Sequence, residues 1–270
     1  MPGADAELKA DLALAVDVAR EAGALSLEWL KKGAKTWDKS PGNPVTEADI
    51  AVNNLIAERL RKARPGYGWL SEETKDNPSD REQKRVWVVD PIDGTRAFMR
   101  GEPYFCISIA RLEGERPVVA ALFNPMTNEM LAAASGGGAT LNGEAIRAMP
   151  TCGLEGCGLI VRPEIHERLR RNPQWPITRI LTPMPSSIAY RLALVAAGRW
   201  DAAIGLQATN DWDIAAAVLI VEEAGGVATN GEGAAFAFNQ AVTRHPGVVA
   251  AGAGLHPLLM DRLIQMSRPS

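Results

Sequence analysis

Cysteine and histidine are both rare in this chain, which has three of each among its 270 residues. The cysteines are Cys106, Cys152 and Cys157. They form no CxxC pair, so neither a disulfide framework nor a thiolate metal site is indicated, and we interpret them as core or loop thiols. The histidines form no HExxH motif, which argues against a zinc site built on imidazoles.

An excess of positive charge is also missing. The formal net charge is −3 and the isoelectric point is near 5.8, so no basic field favours a nucleic-acid polymer or an anionic membrane. Residues 1–7 lack the basic segment and apolar core of a secretion signal, and no later apolar run is long enough to span a bilayer. We therefore expect a cytoplasmic protein whose partner is a small molecule.

Hydrophobic periodicity predicts a mixed α/β (α+β) fold, and 46% hydrophobic residues are enough for a full core. The expected elements are helices at about 5–32 and 47–64, a short strand at 67–71, a strand ending near Asp90, an antiparallel sheet over 104–147, and alternating strands and helices from 158. The turn-rich stretch Gly153–Gly158 is the best boundary between lobes. We therefore expect one compact unit with two lobes, residues 1–152 and 153–270.

Residues 35–44 are rich in turn-forming residues and contain two lysines. This composition predicts a surface loop. Two interpretations stay open for it, a solvated linker and a lid over an anionic site.

The stretch Trp87–Thr95 is where the sequence predicts chemistry. An apolar, β-branched run typical of a buried strand ends in Asp90 and Asp93, followed directly by Gly94 and Thr95. Two acids three residues apart at a buried strand end repel each other unless a cation or hydrogen-bond donors lie between them. A glycine lets the backbone approach a ligand, and the threonine adds a hydroxyl beside free amides. The stretch therefore indicates a divalent metal and a phosphate.

Two further acids give a donor set made only of oxygen. Glu72 follows the short strand at 67–71, and Asp213 opens a helix. Taken alone, Asp213 is typical of a helix cap. Together with Asp90 and Asp93, however, these carboxylates form a hard site, which selects Mg²⁺, Mn²⁺ or Ca²⁺, and catalysis on phosphate favours Mg²⁺.

Three separated motifs resemble those of the inositol monophosphatase family, a family of Mg²⁺-dependent, lithium-sensitive phosphomonoesterases. They are Glu72-Glu73, Asp90-Pro91-Ile92-Asp93-Gly94-Thr95 and Trp212-Asp213-Ile214-Ala215-Ala216. The resemblance spans the chain from about Lys35 to the closing helix. It implies a layered α/β/α/β/α fold with the site between the lobes, two or three Mg²⁺ ions that Mn²⁺ could replace, and a homodimer.

The resemblance also implies roles for single residues. The metal ligands would be Glu72, Asp90, the Ile92 carbonyl, Asp93 and Asp213. The groups that bind phosphate or substrate would be Asp93, Gly94, Thr95, Arg96 and Asp213, with the Gly94 and Thr95 amides at a helix start. The catalytic residues would be Asp49, Thr95 and Glu72, with Thr95 hydrogen-bonded to Asp49 to help activate water.

Two of these acids keep alternative interpretations. The stretch Thr46–Asp49 is a capping-box pattern, so Asp49 is either a helix cap or a partner of Thr95. Glu73 is either a contact of metal-bound water or a solvated residue.

The implied reaction is two-metal hydrolysis by activated water, without a covalent enzyme intermediate. A rival phosphatase class uses an aspartate nucleophile in an Asp-x-Asp-x-Thr segment. Ile92 stands two residues after Asp90 and Thr95 two after Asp93, so the required second acid is missing in either register. A catalytically silent metal-binding interaction protein would be expected to lose one of the acids or Thr95, and this chain has them all.

Two features bear on the substrate. The loop Gly205–Asp211 lacks the glutamate with which inositol-cleaving members hold sugar hydroxyls, and its Gly-x-x-x-Thr pattern is more like that of nucleotidase members. Arg96, next to Thr95, could reach a second phosphate or be an ordinary surface arginine. These features favour a 3′(2′),5′-bisphosphate nucleotide, with inositol 1-phosphate as the alternative and histidinol phosphate or fructose 1,6-bisphosphate as lesser ones.

Overall fold

The computed structural model describes residues 2–151, 153–173 and 175–267. The α-helices in these residues are α1 (Pro2–Lys32), α2 (Glu47–Ala63), α3 (Thr95–Met99), α4 (Pro163–Arg170), α5 (Ile188–Ala196), α6 (Asp211–Glu223) and α7 (His256–Ser267). A 3₁₀ turn covers Pro78–Arg81. Within this part of the chain, none of the helices combines the length and the apolar character needed to cross a bilayer.

The strands form two large sheets and two short ribbons among the described residues. They are β1 (Thr36–Ser40), β2 (Asn43–Thr46), β3 (Gly68–Ser71), β4 (Arg85–Asp93), β5 (Cys106–Glu113), β6 (Arg116–Asn124), β7 (Glu129–Ala134), β8 (Ala139–Leu141), β9 (Glu144–Ile146), β10 (Gly158–Val161), β11 (Arg179–Ile180), β12 (Ala202–Gly205), β13 (Thr209–Asn210), β14 (Gly226–Thr229), β15 (Arg244–His245) and β16 (Val248–Gly252).

The seven-stranded sheet carries the centre of the predicted site. Its strands lie in the order β3-β4-β5-β6-β7-β8-β9, with β3 parallel to β4 and every other neighbouring pair antiparallel. The predicted antiparallel sheet over 104–147 is therefore confirmed. Because β3 and β4 run in the same direction, the residues that follow them emerge at the same end of the sheet.

Both faces of this sheet are covered. Successive side chains of a strand point to opposite faces. In β4, Trp87 and Val89 pack in the cluster with α1 and α2, whereas Val86 and Val88 pack in the cluster with α5 and α6. Burial on both faces explains why β4 reads as a continuous apolar run rather than an alternating one.

The second sheet has five strands in the order β11-β10-β12-β16-β14, of which β11, β10 and β12 are parallel. Helices α5 and α6 lie between the two sheets, and α7 packs on the outer face of the second. The layers are therefore α/β/α/β/α, and the predicted fold class is confirmed. The lobe boundary at residues 152 and 153 stays a prediction.

The predicted surface loop at 35–44 is wrong, because these residues belong to a β-hairpin. Strand β1 pairs with β2 in antiparallel fashion, and Ser40 lies opposite Asn43. Pro41 and Gly42 make the turn, with Gly42 at φ +74° as a glycine after a proline allows. A two-stranded ribbon has only edge strands, so Pro44 is tolerated without an amide hydrogen. The turn formers marked one tight turn, not a loop.

The free cysteines are structural. Cys106 and Cys157 are buried, which confirms their interpretation as core thiols. Cys152 lies outside the described residues.

Candidate active site

The predicted site lies where β4 gives way to α3. The ladder between β4 and β5 is regular as far as Asp90 and resumes only at Asp93, so the proline between them needs no ladder hydrogen bond. Gly94 follows at φ +99°. A Cβ atom there would lie 2.9 Å from the Tyr104 carbonyl oxygen and 3.1 Å from the Ser187 nitrogen, so only glycine fits.

Three of the predicted metal ligands come together. Glu72, Asp90 and Asp213 each offer a carboxylate oxygen, and these oxygens lie within 4.8 Å of one another. Glu72 follows β3, Asp90 lies in β4 and Asp213 lies in the first turn of α6. The ends of two neighbouring strands therefore meet the start of a helix that is distant from both in the sequence. The fourth predicted acid, Asp93, is not part of this group.

Burial raises the pKa values of Asp90 and Asp213. It is the main reason why the pKa of Asp90 lies well above its ordinary value, and the charges of Glu72, Asp93 and Asp213 add to it. Burial, followed by the charge of Asp93, raises the pKa of Asp213 to about 8. Acids that repel one another in this way are stabilised by a bound cation. Since the donors are all oxygen atoms, the set fits Mg²⁺.

Asp93 is held by donors from α5. Its Oδ2 accepts hydrogen bonds from the Ser187 hydroxyl at 2.5 Å and from the Ala189 amide at 2.7 Å. Burial nevertheless raises the pKa of Asp93 to about 6. Both donors bind Oδ2 and fix the orientation of the carboxylate, which leaves Oδ1 as the oxygen that can accept from another group.

Asp49 plays both of the parts that the sequence left as alternatives. Its Oδ2 accepts from the Thr46 amide at 2.7 Å, while the Thr46 hydroxyl accepts from the Asp49 amide at 3.3 Å, which completes the capping box of α2. Its Oδ1 accepts from the Thr95 hydroxyl at 3.2 Å. Thr95 also lies 3.3 Å from the Ile92 carbonyl oxygen. The cap and the threonine therefore share one carboxylate.

Lys39 on the hairpin reaches the acids. Its ammonium lies 3.1 Å from Glu72 Oε1 and in a closer contact with Glu73. Burial raises the pKa of Glu73 to about 7, although Lys39 opposes the shift. Glu73 is thus ion-paired and its side chain is largely buried, so it is not a solvated residue, whereas its contact with metal-bound water stays a prediction.

A cavity of about 450 Å³ opens at this point. Every predicted site residue except Asp49 lines it, namely Glu72, Asp90, Ile92, Asp93, Gly94, Thr95, Arg96 and Asp213. The guanidinium of Arg96 donates to the carbonyl of Gly42 in the hairpin turn. The cavity therefore extends from the acids to the hairpin.

The sequence did not point to Ser187, Arg162, Arg191 or Gln207. Ser187 caps α5, and a serine just before a helical pattern is a signal that was available. Its bond to Asp93 joins residues 94 positions apart, which no local pattern reveals. The other three side chains line the cavity from the second sheet's side of the molecule.

Comparison with known proteins gives matches over almost the whole chain. A model of the inositol monophosphatase family matches residues 7–268. The inositol-1-monophosphatase of Caulobacter vibrioides is 34% identical over 91% of this chain and 94% of its own length. The Nus factor SuhB of Xylella fastidiosa is 35% identical over 81% of each chain.

Solved structures agree with these sequence relatives. The extragenic suppressor protein suhB of Bartonella henselae has a TM-score of 0.81 at 30% identity, with 94% of this chain and 98% of that chain covered. The Thermotoga maritima IMPase has a TM-score of 0.78 at 28% identity, with 98% of each chain covered. Such coverage shows that the likeness extends across both large sheets.

Proposed function

The chain belongs to the inositol monophosphatase family and is a phosphoric monoester hydrolase, and from that premise we propose that it hydrolyses a small phosphorylated metabolite with Mg²⁺. The observation that carries the metal is the group of Glu72, Asp90 and Asp213, with oxygens within 4.8 Å and raised pKa values at Asp90 and Asp213. These acids, the Ile92 carbonyl and Asp93 are the proposed ligands.

The metal site supplies the main electrostatic help. Bound Mg²⁺ acts as a Lewis acid that makes water a better nucleophile and neutralises charge on the phosphate and the departing alkoxide. Asp90 and Asp213 would hold the cation in their ionised form, because a hard cation is bound by carboxylate oxygen atoms. Glu72, which contacts Lys39, would be the third carboxylate of this set.

Thr95 and Asp49 orient the attacking water. The Thr95 hydroxyl donates to Asp49 Oδ1, so its oxygen keeps lone pairs for a hydrogen of that water. The buried Asp49 is itself fixed by two donors from Thr46 and cannot turn away. We infer that this pair acts as the positioned base of the reaction.

Gly94 and Thr95 hold the phosphate through their backbone amides. They open α3, and the first amides of a helix have no partner inside it. The αL conformation of Gly94 sets the direction of these amides. Asp93 and Asp213 lie beside them and contact the leaving part of the substrate.

For the substrate we propose a 3′(2′),5′-bisphosphate nucleotide, because Arg96 lines the cavity and the Gly205–Asp211 loop lacks a glutamate. Inositol 1-phosphate is a second and equally supported candidate, since relatives that match most of the chain are named inositol-1-monophosphatases. A homodimer, lithium sensitivity and a cytoplasmic location are further proposals that rest on the resemblance.

The test is a panel of phosphomonoesters with purified protein at millimolar Mg²⁺. We expect phosphate release that stops with a chelator and returns with added Mg²⁺. Rapid release from inositol 1-phosphate and none from adenosine 3′,5′-bisphosphate would reverse the order of the two candidates. No release from either of these, or from histidinol phosphate or fructose 1,6-bisphosphate, would overturn the proposal.

A further inference from the structure

A second cavity of about 230 Å³ continues from the active site into the space beside α5. The two cavities share six lining residues, Asp93, Arg162, Ser186, Arg191, Gln207 and Asp213. Beyond them the wall becomes apolar, with Ile165, Ile188 and Ile204. A substrate whose phosphate lies at the acids therefore extends its leaving part into this second cavity.

Two guanidinium groups line the shared part. Arg191 projects from α5, where its Nε donates to the Pro185 carbonyl at 2.7 Å and its Nη2 to the Ser186 carbonyl at 2.9 Å. Arg162 is the residue before α4. Within the described chain, neither guanidinium has a carboxylate oxygen within 4.0 Å. Arg64, Arg81, Arg111 and Arg199, by contrast, each form an ion pair with a carboxylate.

The two cations are close enough to disfavour each other. Burial lowers the pKa of Arg191; the charge of Asp93 opposes this shift, and the charge of Arg162, a smaller effect, adds to it. Carbonyl groups fix the Arg191 fork but do not neutralise it. A pair of like charges on a partly buried wall is stabilised by an anion that binds to both, and guanidinium groups bind phosphate through paired hydrogen bonds.

In the proposed reaction, the acids and the α3 amides hold the phosphate that is cleaved. The anion bound by the two arginines is therefore a different group. The apolar wall beyond the arginines offers few partners for the hydroxyls of a polyol, whereas it can pack against a ring. Both points describe a leaving part with a second charged group and an apolar face.

We propose that Arg162 and Arg191 bind a second phosphate, carried by the leaving part of the substrate, whose ring packs against Ile165, Ile188 and Ile204. The proposal rests on the phosphatase reaction above and deepens it, because it makes these two arginines determinants of substrate choice. The second phosphate belongs either to a nucleotide or to a sugar, and the test separates these sources.

The test compares Arg162→Gln with Arg171→Gln. Arg162 has no side-chain partner to lose in the described chain, and Arg171 is an exposed arginine at the other end of α4, outside both cavities. The two variants carry the same change of charge. Each is assayed on adenosine 3′,5′-bisphosphate against adenosine 3′-phosphate, and on fructose 1,6-bisphosphate against fructose 1-phosphate.

We expect the wild-type protein to prefer the bisphosphate of at least one pair, and that pair identifies the source. Arg162→Gln should lower this preference in kcat/KM at least about tenfold, mainly through KM, because it removes one charge-assisted contact. Arg171→Gln should leave it within about twofold. An equal loss on bisphosphate and monophosphate, or no preference in the wild type for either pair, would overturn the proposal.

Calorimetry on the protein with chelator provides a readout without turnover. Adenosine 5′-phosphate, the product that keeps the second phosphate, should bind more weakly to Arg162→Gln than to Arg171→Gln. Equal binding to both variants contradicts the role of Arg162 in holding a nucleotide. The two proposals can fail separately. If no phosphomonoester is hydrolysed but Arg162→Gln binds adenosine 5′-phosphate more weakly than Arg171→Gln does, the phosphatase proposal is wrong and the proposal of an anion site at Arg162 is supported.

Discussion

Two clusters of charged side chains, each built around a buried aspartate, differ in the sign of their members. In the paired cluster, Asp11 of α1 accepts from Arg64 at 2.7 Å and from the Tyr67 hydroxyl at 2.9 Å, and it lies 3.5 Å from Arg111. In the acidic group of Glu72, Asp90 and Asp213, the carboxylate oxygens lie within 4.8 Å of one another, and Lys39 contacts the group only at its edge, through Glu72. Asp11 and Asp90 are equally inaccessible, with 0% and 1% of their surface exposed.

The difference shows that burial alone does not mark a functional acid. Asp11 has its opposite charges built into the protein, so the paired cluster is complete without a ligand. Asp90 has a pKa raised by burial and by other acids, and we propose that a bound cation supplies the balancing charge. The sign of the neighbours separates a structural acid from one that binds metal.

Replacing Asp90 with asparagine should give the largest effect on activity. The change removes a proposed ligand, and losing several kcal/mol of metal-supplied stabilisation lowers kcat at least about a thousandfold. The free energy of unfolding with chelator present should stay the same or rise, because a repelling carboxylate is gone. Steady-state phosphate release and urea denaturation measure the two quantities, and a variant that keeps its kcat would remove Asp90 from the metal site.

Asp11→Asn makes the same change in the paired cluster and should have the opposite result: stability should fall and kcat should stay unchanged. It removes the charge of one of the carboxylates that contact the fully buried Arg111, while Glu7 and Glu113 remain at 3.4 and 3.6 Å, so we expect a loss of about 1–3 kcal/mol of stability. The folded fraction should keep the wild-type kcat. Urea denaturation monitored by circular dichroism gives the stability, and a loss of kcat without a loss of stability would contradict the comparison.

The pH dependence of stability sharpens the comparison further. Asp213, with a folded pKa of about 8 and an ordinary unfolded value of 3.8, binds more protons folded than unfolded across that interval. Stability with chelator present is therefore highest at the acid side and falls as the pH rises toward 8. We expect Tm to drop by about 2–8 °C between pH 5 and 8, which corresponds to a loss of about 1–2 kcal/mol of stability.

Two controls test this assignment. Saturating Mg²⁺ should remove most of the drop, because it binds the ionised form. Asp213→Asn should reduce the slope of the chelator curve without abolishing it, because Glu73 and Asp93 also have raised pKa values, whereas Asp11→Asn should lower the curve without changing its slope. A slope in Asp213→Asn equal to that of the wild type would contradict the assignment to Asp213.

Ser187→Ala should lower activity less than Asp90→Asn does. The hydroxyl binds Asp93 at 2.5 Å and caps α5 by accepting from the Tyr190 amide at 2.8 Å. Loss of an outer-shell partner of this kind lowers activity about 10- to 100-fold, and loss of the cap costs about 1 kcal/mol. Ser187→Thr keeps both bonds and should restore kcat. If threonine fails to do so while folding normally, the hydroxyl does not act through Asp93.

The sequence was sufficient where the information is local. Asp90 and Asp93 come at the end of an apolar run and are followed by a glycine and a threonine. That pattern predicted a buried strand ending at these acids, and β4 is such a strand. The capping box of α2 was also visible, because its hydrogen bonds join residues three positions apart.

It was insufficient where two distant elements meet. Arg191 falls in the stretch from 158 where alternating strands and helices are predicted, and an arginine on such a helix is normally solvated. Its position in the cavity depends on α5 packing between two sheets. Lys39 was seen only as a lysine of a presumed loop, and its contact with Glu72 depends on how the hairpin folds over β3. Such contacts are tertiary and leave no periodic signal.

The double use of Asp49 limits how this enzyme can change by mutation. A substitution that removes the carboxylate removes both the capping hydrogen bond of α2 and the partner of Thr95. A mutation at this position should therefore affect stability and the proposed hydrolysis at the same time. Arg162 has no second task of this kind in the described chain. Directed evolution toward a new leaving group should therefore succeed sooner at Arg162 than at Asp49, and selection should purge almost every allele of Asp49.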